Sequence, residues 1–161
     1  MTPVRRTEPT NTVSTYGWVE RVFHWAIALL IPTAIVLGVI AHGLAYDTDA
    51  ALARKALLFS LHKSVGLTIL AVALARIAWA LSQPRPRPLH PDRRAETFLA
   101  GLVHWLLYGS LVLVPMLGWA THAATEGFAP IPWPFGQSLP FVPRDPALAE
   151  TLATLHMVLS G

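Results

Sequence analysis

Val22 to Ala41 is a run of twenty residues without Asp, Glu, Lys or Arg. As an α-helix rising ~1.5 Å per residue it is long enough to cross the ~30 Å hydrocarbon core of a bilayer. The one ionisable side chain in it is His24, set in Arg21-Val22-Phe23-His24-Trp25 at the start of the span. A titratable group inside a membrane helix is costly unless it has a partner, so the default reading of His24 is functional, and the question is what partners it. The run exceeds the usual apolar core of a cleaved signal, roughly 7–15 residues, and reads as a mature helix. Arg5-Arg6 has no apolar region close enough behind it to make a twin-arginine signal.

Composition extends this to the whole chain. With 53% hydrophobic and 13% charged residues among 161, and a mean hydropathy of +0.48, the sequence describes an integral membrane protein with room for three or four spans and no separate soluble module. The expected fold is all-α, a transmembrane four-helix bundle forming a single domain over residues 1–161, with helices at about 17–41, 54–81, 97–124 and 147–161. The fourth has fifteen residues, short of a ~30 Å core, so the chain reads as truncated within its last span.

The connections carry the charge. Residues 1–16 are polar and read as disordered or surface-lying. Gly43 and Tyr46 mark the first turn, residues 84–94 are too rich in Pro and Arg for a helix, and residues 125–146 hold six prolines with Phe128, Trp133, Phe135 and Phe141, a structured loop in the membrane interface. Twelve Lys and Arg against nine Asp and Glu suit an orientation signal better than nucleic-acid binding. Arg5, Arg6 and Arg21, with Arg85, Arg87, Arg93 and Arg94, place the N-terminus in the cytoplasm. Cysteine is absent, which excludes disulfides, thiolate metal sites and cysteine-held iron–sulfur clusters as internal features.

Histidine is therefore the main candidate metal ligand. In an antiparallel bundle His24 and His104 fall at one membrane level, His62 and His156 at the other. Four histidines in two layers, with no acid deep in the first three spans, point to axial ligation of haem, because a hard cation would require carboxylates. Helical residues fourteen apart share a face at opposite levels, which pairs His24 with Gly38, His104 with Gly118, and His62 with Arg76. The glycines would admit a porphyrin edge, as would Gly66 one turn beyond His62, and Arg76 would meet propionates or a quinone. Each feature also has a plain reading: a histidine bonding across helices, a glycine packing helices together, an arginine snorkelling to the interface. For His42, His90 and His122, at interfaces or in a loop, the plain reading is preferred.

The ordered set of Arg21-Val22-Phe23-His24-Trp25, Leu61-His62-Lys63-Ser64-Val65-Gly66 with Arg76, the Pro-rich linker, His104-Trp105-Leu106-Leu107-Tyr108 with Pro115 and Gly118, and Trp133-Pro134-Phe135-Gly136 resembles the bacterial cytochrome b561 family, four-helix dihaem proteins of the inner membrane. The resemblance extends to the cytochrome b subunits of formate dehydrogenases and hydrogenases. It implies haem b held by His62 and His156 at the outer level. At the inner level it implies His24 with a histidine fourteen residues beyond His156, past Gly161, for which His104 would have to substitute in this chain. His104 otherwise looks like a neighbour of the inner haem or of the quinone pocket.

The resemblance also implies one-electron transfer to or from ubiquinone, and for some members oxidation of superoxide, an anion that Lys63 and Arg54-Lys55 could attract. The expected protein is a quinone-linked oxidoreductase in the bacterial inner membrane. An electron-transfer anchor for a dehydrogenase or hydrogenase, and a haem-free metal-ion transporter using the same histidines, are the alternatives.

Overall fold

A computed structural model describes residues 8–86, 92–125, 128–133 and 137–161. The described chain is helical: α1 Trp18–Gly43, α2 Asp49–Ser82, α3 Arg94–Ala124 and α4 Pro146–Ser160. The first three are long and apolar enough to cross a membrane. Side chains on their outer faces are largely exposed leucine, isoleucine, valine and tryptophan, the composition a helix presents to lipid, where apolar contact with acyl chains replaces a buried core. Neighbours in sequence are neighbours in space, α1 on α2, α2 on α3, and α3 on α4.

Helix ends depart from what sequence periodicity suggests. α2 begins five residues before residue 54, because Thr48 caps it, its hydroxyl accepting from the Ala51 amide at 3.2 Å, with Asp49 in the first turn. Gly43 is the last residue of α1, and Lys55 Nζ bonds the carbonyls of His42 at 3.3 Å and Leu44 at 2.7 Å, satisfying the helix end. Asp145 caps α4 through the amides of Ala147 and Leu148. Pro32 and Pro115 lie within α1 and α3 without ending them.

Residues 1–16 are expected to be disordered or surface-lying; within the described part, residues 8–10 and 12–16 are exposed and Asn11 anchors the segment. Asn11 is buried, its side chain accepting from the Gly17 amide at 2.8 Å while its own amide donates to Gln83 Oε1 at 3.1 Å. This strap joins the start of α1 to the end of α2. Arg5, Arg6, Arg87, His90, Pro134, Phe135 and Gly136 lie outside the described residues.

Between α3 and α4 the chain folds back onto the bundle. Ile131 is 2% exposed and packs against Leu67 and Leu70 of α2, with Val112, Trp119 and Trp133 around them.

Candidate functional site

Alternating steps of three and four residues place Glu20, His24, Ile27, Ala34, Gly38 and Ala41 on one stripe of α1. Four of these are buried: Glu20, Ile27, Ala34 and Ala41. His24 is exposed on that largely buried stripe, as is Ile31. The same spacing puts His62, Gly66, Ile69, Ala73 and Arg76 on one stripe of α2, and His104, Tyr108, Pro115, Gly118 and His122 on one stripe of α3.

The stripes bring His62 and His156 together. Their ring centroids are 6.0 Å apart and the ring planes stand at 87°. His62 Nδ1–H donates across helices to the Ala34 carbonyl at 2.8 Å, and His156 Nδ1–H does the same to Val114 at 2.9 Å. Those bonds fix the tautomer, leaving Nε2 of each ring as a lone-pair donor. Each acceptor carbonyl lies four residues before a glycine, Gly38 or Gly118. A Cβ at Gly38 would stand 2.9 Å from His62 Nδ1 and Cε1, and one at Gly118 would stand 3.1 Å from His156 Cε1. One device is thus used twice: a glycine opens the helix surface so that the neighbouring helix's imidazole can reach the backbone.

The two glycines make room for the rings of His62 and His156. Gly66 does border open space, with nothing within 4 Å of where its Cβ would be.

The donor set fits haem. A metal about 2 Å from each of two imidazole nitrogens separates the ring centroids by roughly 6 Å, close to the spacing found. No group of three or more His, Cys, Asp or Glu gathers among the described residues. Two imidazoles alone would leave an ordinary tetrahedral or octahedral ion short of protein ligands, whereas a porphyrin brings its own four nitrogens.

At the other level the histidines are not gathered. His24 lies edge-on to its neighbour Trp25, centroids 5.5 Å apart. His104 is exposed and its Nδ1–H donates to Ala100 of its own helix at 2.6 Å. Among the described residues no hydrogen bond or ring contact joins the two.

Arg76 instead meets a residue that the sequence does not single out. Its Nε–H donates to Glu20 Oε1 at 3.2 Å, Nη2 lies 3.1 Å from the same oxygen as an ion pair, and its guanidinium lies 5.4 Å from the Tyr108 ring centroid. The available signal is the position of Glu20 one turn before His24, on the buried stripe of α1.

Lys63 is likewise more engaged than expected of an anion-attracting collar. Nζ donates to the Phe128 and Ala129 carbonyls at 2.7 and 2.8 Å and to His122 Nδ1 at 3.0 Å, which uses all three ammonium hydrogens. His122, 3% exposed, passes the chain on, Nε2–H donating to Gln137 Oε1 at 3.0 Å. Gln137 in turn bonds both backbone groups of Ile131 at 2.7 Å. Ala129 takes a φ of 58° to present its carbonyl there, and the buried Ile131 is held over the His62 end of the bundle.

Three helices long and apolar enough to span a membrane make this a multi-pass membrane protein, with an imidazole pair between α2 and α4. Residues 15–161 match the model of the prokaryotic cytochrome b561 family, and the chain belongs to that family. It is 31% identical over 116 residues to cytochrome b561 homolog 2 of Escherichia coli (strain K12), an alignment that covers 71% of this chain and 59% of the relative's length. The chain thus spans about three fifths of that relative's length, and haem b is the cofactor that its family implies.

Proposed function

We propose that His62 and His156 are the axial ligands of a haem b, and that the bundle passes single electrons between this haem and ubiquinone. The observation that carries the reading is the pair of facing imidazoles, each with Nδ1–H tied to a backbone carbonyl and Nε2 left to coordinate. Haem bound there supplies reversible one-electron chemistry at iron. The chain's own residues do the remainder. The Ala34 and Val114 carbonyls orient the rings and raise their basicity. Gly38 and Gly118 allow the approach, and Leu67, Leu70 and Ile131 close the adjacent space with apolar side chains.

His24, exposed on the buried stripe of α1, is the ligand this chain offers at the second level. That level is also where quinone is expected to exchange electrons, in the leaflet on the side of the N-terminus, which the arginine distribution makes cytoplasmic.

The test is optical. Purified protein should show the sharp reduced α-band of a b-type haem, and ubiquinol should reduce it. His62→Ala and His156→Ala should each lose the haem of the His62 level while the helices still assemble. Haem content unchanged in either variant would overturn the ligand pair.

A further inference from the structure

Among the described residues Glu20 Oε2 is buried without a hydrogen-bond partner, although Oε1 of the same carboxylate accepts a hydrogen bond from Arg76 Nε and lies 3.1 Å from Nη2. The Glu20 side chain is only 9% exposed. An arginine facing a carboxylate ordinarily engages both oxygens as a fork. Here both guanidinium contacts converge on one oxygen and the other is left as a desolvated acceptor, an unfavourable state for a charged group. Trp79, one turn along α2 from Arg76, has its indole Nε1 buried without an acceptor. The unmatched carboxylate oxygen thus lies in the ion pair itself, with a second unmatched group on the next turn of α2. Tyr108 stands over the guanidinium, and His24 follows Glu20 by one turn on the same stripe.

A ligand that satisfies Glu20 Oε2 must offer a hydroxyl donor on a compact, largely apolar frame able to enter from lipid. A dihydroxy ring that interconverts with its diketone has that chemistry. We propose that Glu20 Oε2 receives a hydroxyl of quinol at the His24 level and is the proton port for that ring oxygen. The proposal rests on the quinone reading above and adds to it the residue that handles the proton.

When the quinol is oxidised it gives two electrons, one at a time, to the cytochrome. The O–H bond facing Glu20 breaks, its proton passes to Oε2, and the ring oxygen becomes a carbonyl; the second hydroxyl gives its proton to water. Glu20 then returns its proton to water. Reduction of quinone runs the same path backwards, with two electrons and two protons taken up. Arg76 holds the carboxylate in place through Oε1, which keeps Oε2 as the atom that faces the ring.

The test uses the haem-loaded protein in detergent with a short-chain ubiquinol. Glu20→Gln keeps the shape of the side chain and removes the proton acceptor. It should retain the haem spectrum and reduction by dithionite, while haem reduction by quinol slows by about 100-fold; Glu20→Asp should recover part of the rate. A Glu20→Gln protein reduced by quinol at the unaltered rate would overturn the proposal and leave the quinone reading standing. Unaltered protein that quinol cannot reduce would remove both.

Infrared difference spectroscopy of the unaltered protein supplies a readout independent of the substitution's effect on folding. Mixing with quinol should produce a carboxyl C=O band that moves in D2O and shifts in Glu20→Asp. No such band would refute the proton role.

Discussion

At the level of His62 and His156 two helices each lend the neighbouring helix's histidine a carbonyl and a glycine, and the segment after α3 is bolted over the pair through Lys63, His122 and Gln137. At the level of His24 and His104 the histidines are exposed, and the buried polar contact is an ion pair, Glu20 with Arg76, that leaves one oxygen unused. Both levels are built on the same stripes of the same helices. They differ in how their ionisable groups are satisfied: at the first level Lys63 uses all three ammonium hydrogens and each imidazole Nδ1 is bonded, although the Trp119 indole Nε1 there is buried without an acceptor. Imidazoles held in this way are preorganised and suit a permanent cofactor, because they need no rearrangement to bind it. A level with an unmatched acceptor suits a ligand that comes and goes.

This contrast can be broken at four points. Gly38→Val should have the largest effect: the added carbons collide with the His62 ring, the site at that level fails, and the haem signal of that level disappears from the reduced-minus-oxidised spectrum. Retention of that signal would show that the glycine is not what admits the imidazole. Arg76→Leu leaves the Glu20 carboxylate buried and unpaired, and should destabilise the fold by roughly 3–5 kcal/mol, read as a fall in thermal midpoint in detergent, with the haem of the His62 level still bound in the protein that remains folded.

Smaller effects separate the two ends further. Lys63→Met strands two carbonyls and His122 Nδ1 and should cost about 1–3 kcal/mol. Hydrogen exchange should quicken around Phe128 to Ile131 and stay unchanged at Glu20. His104→Ala removes a side chain that, among the described residues, bonds only to its own helix, and should alter stability by no more than about 0.5 kcal/mol, with the His62 haem intact. A large loss there would show that His104 has a structural partner across the bundle.

Much of this molecule is legible in its sequence. The apolar runs specify the spans, and the spacing of His62, His104 and His156 specifies which level each occupies, because helical rise and antiparallel order leave little freedom. The pairing of His62 with His156 follows only from the family resemblance; the structure adds the Nδ1 bonds that orient it. The early start of α2 is encoded in Thr48-Asp49, a capping signal outweighed by the polar look of the turn.

The remainder is not legible, for a physical reason. Glu20 reads as an ordinary first-turn acid, Lys63 as a surface cation, and His122 as an interface residue, because burial and hydrogen-bond partners depend on which stripe meets which. Gly38 and Gly118 read equally well as room for a porphyrin or as helix contacts, and only the tertiary structure places an imidazole from another helix against them.

The sequence alone therefore determined that this chain is a helical membrane protein with histidines at two depths: helix length, hydropathy and residue spacing are local quantities. Only the tertiary structure decided which polar atoms find partners. It matched every donor of Lys63, gave both axial candidates a carbonyl, and left Glu20 Oε2 without one, since satisfaction of a buried group is a property of the neighbours that packing supplies.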